Sequence, residues 1–186
     1  MSDTKTDTTE GKRMESDVNL DDILGAEIKL TGADLPPGSY PATLFGFGAP
    51  FRMKVTEQFK KEGGPEYKDN FDLRFGVVDK QGNLVEQTYM VGVPDGGEVN
   101  RKSNLFKALL ALSNGDPKVI NEKGEVAKGL KLKSLIGRNC VLNIEKNKKD
   151  FPQVASVAQK LAAEGVKYPS LEECKKLLTS SEGVPF

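Results

Sequence analysis

The hydrophobic positions change period twice along the chain. Over residues 1–17 there is no period: the segment is polar and Thr/Asp/Lys-rich, which predicts a disordered arm. VNLDDILGAEIKL (18–30) carries Val18, Leu20, Ile23, Leu24, Ile28 and Leu30 and suits a short docking segment, closed by the turn Leu35-Pro36-Pro37-Gly38. From Ser39 the period is two. SYPATLFGFG predicts a strand bent at Gly46 and Gly48. Residues 52–70 begin extended and become a polar loop around Gly63-Gly64-Pro65. FDLRFGVV (71–78) puts Phe71, Leu73, Phe75 and Val77 on one face and Asp72 and Arg74 on the other. Asp79–Asn83 then reads as a hairpin turn, and LVEQTYMVGV (84–93) as the returning strand, with Val85, Tyr89 and Val91 on its core side. After a Gly-rich connection the period becomes 3.6. Leu105, Leu109 and Leu112, with Phe106 and Leu110 beside them, predict a helix capped by Ser103 and stopped at Asn114-Gly115-Asp116-Pro117. NCVLNIEKN (139–147) and FPQVASVAQ (151–159) predict two more strands around a Lys-rich turn, and PSLEECKKLL (169–178) a short helix with Pro169 at its start.

Five strands with one helix between the third and fourth is the order of the OB-fold, a Greek-key barrel. The expected architecture is therefore mainly β: a five-stranded OB-fold-like barrel with one internal helix and a short C-terminal helix. An unrelated small β-barrel satisfies the same order. The expected organisation is an acidic disordered arm (1–34), the barrel domain (35–160), and a short helix with a flexible tail (161–186). A single helix between strands does not suit a βαβ nucleotide fold, and neither a Gly-x-Gly-x-x-Gly nor a Gly-x-x-x-x-Gly-Lys-Ser/Thr motif occurs.

Composition narrows the chemistry. Among 186 residues there is no histidine, which excludes a His-based triad, a His-ligated metal and a histidine general base. Cys140 and Cys174 form neither a paired framework nor a Cys-x-x-Cys, so a reducing cytoplasm is expected. No apolar run reaches membrane-spanning length, and no apolar stretch follows the N-terminal charges as in a secretory signal. The acids of 35–160 are scattered, mostly beside lysines, which does not suit a two-metal carboxylate site. A binding protein is expected, with no catalytic residues, no metal and no cofactor.

Lysine plus arginine equal aspartate plus glutamate, 27 each, but the zero is an average. Residues 1–34 hold nine acids and four bases, a net −5. Residues 35–160 hold 20 bases and 14 acids, a net +6. Residues 161–186 hold three bases and four acids, a net −1. A basic middle between acidic ends suits a polyanionic partner.

In an OB-fold, ligand lies across strands two and three, embraced by the loop between strands one and two and the loop between strands four and five. The first such loop carries Arg52, Lys54, Lys60, Lys61 and Lys68 interleaved with Phe51, Phe59 and Tyr67, and diluted by Glu57, Glu62 and Glu66. The second carries Lys146, Lys148 and Lys149, followed by Phe151. Arg74 projects from strand two, opposite its apolar face. Cations offset phosphates and exposed rings stack on unpaired bases, so these residues are the candidate contacts for single-stranded DNA, with Phe59 and Tyr67 as the stacking rings. The last residues, Val184-Pro185-Phe186, end a polar segment with a ring that can fill a partner's pocket beside a free carboxylate.

An OB-like pattern ending in Val-Pro-Phe resembles the single-stranded-DNA-binding proteins of bacteria and their phages, whose tails end in acids followed by Ile-Pro-Phe. The blocks LPPGSYPATL, YKDNFDLRFGVVD, RKSNLFKALLAL and LIGRNCVLNIEKN are similar to the phage-encoded versions. The resemblance covers roughly residues 35–158 and the tip. It implies sequence-tolerant binding of single-stranded DNA during replication or recombination, and recruitment of replication and recombination proteins through Val184, Pro185 and Phe186. The departure is acidity: only Glu182 stands close before the tip. Self-association is compatible with the sequence. The alternative expectation is a small β-barrel that binds protein and no nucleic acid.

Overall fold

A computed structural model describes residues 35–55, 64–161 and 165–181, all within the compact unit Thr31–Phe186. In chain order these form β1 (Gly38–Phe47), β2 (Phe51–Lys54), β3 (Tyr67–Val78), β4 (Leu84–Gly92), α1 (Asn104–Ser113), β5 (Asn139–Lys146), β6 (Pro152–Gln159) and α2 (Leu171–Ser181). Every ladder is antiparallel. β3 takes β4 on one edge. On the other it takes β2 with residues 67–70 and β1 with residues 73–77, so β1 and β2 are two halves of one strand broken around Ala49-Pro50. Proline has no N–H for the ladder, and Gly48 N–H still reaches Asp72 O at 2.8 Å, which carries the pairing across the break. The sheet continues from β1 to β5 and β6.

The architecture is mainly β, as the alternation predicts, but the sheet is open. No ladder joins its outer strands β4 and β6 among the described residues, so the closed five-stranded barrel is replaced by an antiparallel sheet of six strands. α1 packs against β6, β4 and β5 in its place. Its buried side, Leu105, Ala108, Leu109 and Leu112, meets Leu44, Leu73, Phe75, Val91, Leu142 and Ile144 in one core. Phe71, Phe75 and Tyr89 are buried there, as their parity predicts. Leu110 points to solvent. Full burial of a leucine-sized side chain contributes about 1.5–3 kcal/mol, so this single layer holds α1 in place.

Local chemistry sets the helix ends. Ser103 Oγ accepts from Phe106 N–H, and Asn114 adopts the left-handed conformation that stops α1. Arg138 donates to the carbonyls of Leu112 and Ser113, each at 3.2 Å, and pairs with Asp116. A cation thus meets the negative end of the helix dipole. α2 begins at Leu171 rather than at Pro169, because Ser170 and Glu173 form a capping box: Glu173 N–H donates to Ser170 Oγ and Ser170 N–H to Glu173 Oε2.

α2 covers the opposite face of the sheet, against β1, β3 and β4. Cys174 is fully buried over Gly76, and the buried Thr43 hydroxyl donates to Pro169 O at 2.6 Å. No described helix is long and apolar enough to cross a membrane.

Candidate nucleic-acid interface

The ladder registers map the outward face of β2, β3 and β4. Residues directly opposite share a face. Met53 stands beside Lys68. Phe51, Asn70 and Gly92 form the next row, then Asp72 with Met90, then Arg74 with Thr88, then Gly76 with Glu86, and finally Val78 with Leu84. α2 lies over the Gly76 end. The Met53–Thr88 end carries Phe51, Met53 and Met90, each 36–43 % exposed, among Lys68, Asn70 and Asp72. This strip combines apolar surface with a cation that has no ion-pair partner among the described residues. Phe51 was visible in the sequence as an interleaved aromatic. Met53 and Met90 are not among the residues that composition marks. Their signal is the alternation of FRMK and TYMV, which sets one parity outward once the strand partners are known.

Arg74 is on this face as expected, but it is half-buried and engaged. Its Nε and Nη2 donate to Glu86 Oε1 and Oε2 at 2.6 and 2.8 Å, and its guanidinium lies 5.4 Å from the centroid of the Phe45 ring. The bulge between Leu44 and Gly46 turns Phe45 toward it. The Glu86 hydrogen bond holds the Arg74 guanidinium in its charged form, above its ordinary range. Burial, followed by the charge of Glu86, pushes the Asp72 carboxyl above the usual carboxylate range. Two acids therefore sit in the middle of a face expected to be basic.

Arg52, Lys54 and Tyr67 lie on the other side of the β2–β3 ribbon. Arg52 Nε donates to Asp69 Oδ1 at 2.8 Å, and Lys54 pairs with Glu66 at 3.3 Å. Both pairs are exposed, so they contribute little to stability and are open to exchange for another anion. The Arg52 hydrogen bond holds the Asp69 carboxyl below its usual range. Tyr67 is 49 % exposed. Phe59, Lys60 and Lys61 lie outside the described residues, as do Val184, Pro185 and Phe186.

The second basic cluster forms the β5–β6 turn. Asn147 Oδ1 accepts from the N–H groups of Lys149 and Phe151, and Asp150 takes a positive φ of 63°. Lys146 reaches Asp150 at 3.4 Å, Lys148 and Lys149 are exposed, and Phe151 is 63 % exposed. This turn adjoins the start of β1, where Gly38 faces Ile144, whereas the other cluster follows the end of β2. The ladder thus sets the two basic clusters at opposite ends of the β1–β2 strand rather than together as expected, and Arg52 and Lys54 share the strip's end of β2 but face the other way.

Both thiols are buried. Desolvation pushes Cys140 up to about 12 and Cys174 to about 11, so neither is a nucleophile where it stands. Among the described residues no group of three or more Cys, Asp or Glu side chains is placed to hold a metal ion. Comparison with known proteins gives no match: no protein-family model, no curated protein and no solved structure is significantly similar to this chain.

Proposed function

We propose that the chain binds single-stranded DNA without strong sequence preference and protects it during phage replication or recombination in the cytoplasm, with the tip Val184-Pro185-Phe186 recruiting replication and recombination enzymes. The observation that carries this reading is the strand order. With β1 and β2 counted as one bent strand, the order is β4–β3–β1–β5–β6, with α1 between the third and fourth strands. That order supports reading the sheet as an OB-fold, a partly open barrel in which β4 and β6 would be the closing pair and β3 and β4 the ligand-binding strands. The strip of Phe51, Met53, Met90 and Lys68 lies on β2, β3 and β4, with Arg52 and Lys54 on the other face of the same ribbon. Rings would stack on bases at about 1–3 kcal/mol each, and lysines would displace counterions from the phosphates. Lys54 and Arg52 would exchange weak surface partners for phosphate.

The test is fluorescence anisotropy with labelled oligo-dT. Phe51→Ala, Phe59→Ala and Tyr67→Ala should each lower affinity by roughly 5- to 100-fold, the equivalent of one stacked base. Unchanged affinity in all three would mean that the rings are structural. A second reading is favoured by one observation, the acids Asp72 and Glu86 in the middle of the outward face. In that reading the domain is a protein-interaction module and oligo-dT does not bind at any salt concentration.

A further inference from the structure

A separate concavity adjoins the outward strip. Past the ends of β3 and β4, the connection from Val93 to Ser103 leaves a groove of about 770 Å³, the size of a small-ligand site. β3 contributes Tyr67 and Asp69, and the connection contributes Val93, Glu98 and Lys102. The wall is built by specific bonds. Val93 N–H donates to Asp69 O at 2.9 Å, Lys102 N–H to Asn100 Oδ1 at 2.8 Å, and Ser103 Oγ to Asn100 O at 2.6 Å. Lys68 and Lys102 stand against Asp69 and Glu98 in the lining, so the groove is close to neutral. Val93, Pro94 and Leu105 make much of it apolar. A near-neutral, half-apolar groove with one accessible ring suits a flat heteroaromatic group better than a phosphate. Lys68 lines this groove and also stands on the outward face beside Met53, so the two surfaces meet at the start of β3.

We propose that the groove receives a base of the bound strand. The nucleic acid turns round the start of β3 at Lys68, which holds a phosphate at the turn, and the next base enters the groove against Tyr67. The inference rests on the single-stranded-DNA reading and extends the path beyond the outward face. The chain contains no tryptophan, so one indole placed in each surface reports on it without background. Phe51→Trp reports on the outward face and Tyr67→Trp on the groove; both positions are at least one-third exposed and tolerate a larger ring. With saturating oligo-dT, quenching of both indoles is expected. As the oligonucleotide is shortened, the Tyr67→Trp signal should be lost first. Tyr67→Leu should weaken long oligonucleotides by roughly 5- to 100-fold and leave the shortest binders unchanged. Quenching of Phe51→Trp without Tyr67→Trp at any length overturns the groove and leaves single-strand binding standing. Binding by anisotropy that quenches neither indole also overturns it. No binding by the unaltered chain overturns both.

Discussion

Gly76→Ala tests how α2 is held. A Cβ built on Gly76 falls well inside van der Waals contact with Cys174 Sγ and 3.2 Å from Cys174 Cβ, so a displacement is unavoidable. Two responses compete. Overpacking with α2 still docked costs about 1–3 kcal/mol. Full undocking exposes Cys174 and the half-buried Leu171 and Leu177 and breaks the Thr43–Pro169 bond. At about 1.5–3 kcal/mol for a fully buried leucine and about 1 kcal/mol for the bond, that loss is roughly 4 kcal/mol. The smaller cost wins, so α2 stays docked but opens more often. In a domain of this size the melting temperature should fall by about 2–12 °C, at roughly 2–4 °C per kcal/mol. The more specific readout is alkylation at pH 8 followed by peptide mapping. Cys174, held at about 11 by burial, regains an ordinary thiol on opening and should react roughly 5- to 100-fold faster, while Cys140 in the core stays protected. Cys174→Ala removes the Sγ atom, so the double variant should lie close to Cys174→Ala alone. Additive losses, or unchanged Cys174 reactivity in Gly76→Ala, would refute the proposed packing.

Three further outcomes follow from the same geometry. Glu86→Gln releases Arg74 from its bidentate partner, so oligo-dT affinity at low salt should rise and the log–log salt slope should steepen by about 0.7, the value of one more phosphate contact on a single strand; an unchanged slope would place Arg74 outside the interface. Asp116→Asn should destabilise the fold at pH 7 in chemical unfolding, with the difference from the unaltered chain shrinking as pH falls below the ordinary aspartate range. Arg138 holds this carboxyl below its unfolded value, so its contribution is present above that value and lost as pH falls through the folded one; a pH-independent difference would contradict the pairing. Deleting Val184–Phe186 should leave oligo-dT affinity intact and abolish pull-down of replication and recombination enzymes, whereas retained pull-down rejects a recruiting tip.

Much of this fold could be read from the sequence. Alternation alone places Phe71, Leu73, Phe75 and Val77 inward, and the 3.6 period identifies α1 with its Ser103 cap. The turn after β3 was legible because Asp79 can accept from backbone N–H groups ahead of it, and it does so from Gln81 and Asn83. What failed to appear depends on register and on distant partners. Arg74 is outward in any reading, but its capture by Glu86 follows only once Arg74 is set opposite Thr88, which brings Glu86 diagonally into reach. Closure of a barrel is a matter of how the outer strands β4 and β6 meet, and periodicity within one strand is silent on that. One local signal for a distant contact does lie in the sequence. Gly76 interrupts a strand of branched and aromatic residues on its outward parity, as a glycine does where another element approaches closely. It marks the seat of Cys174.

The most direct test of the central claim is a titration of the intact chain into labelled oligo-dT and a matched duplex across a salt series. The account predicts strong binding to oligo-dT at low salt, a linear fall of log affinity with log salt, and much weaker binding to the duplex. Equal binding to both, or no binding at low salt, would contradict it.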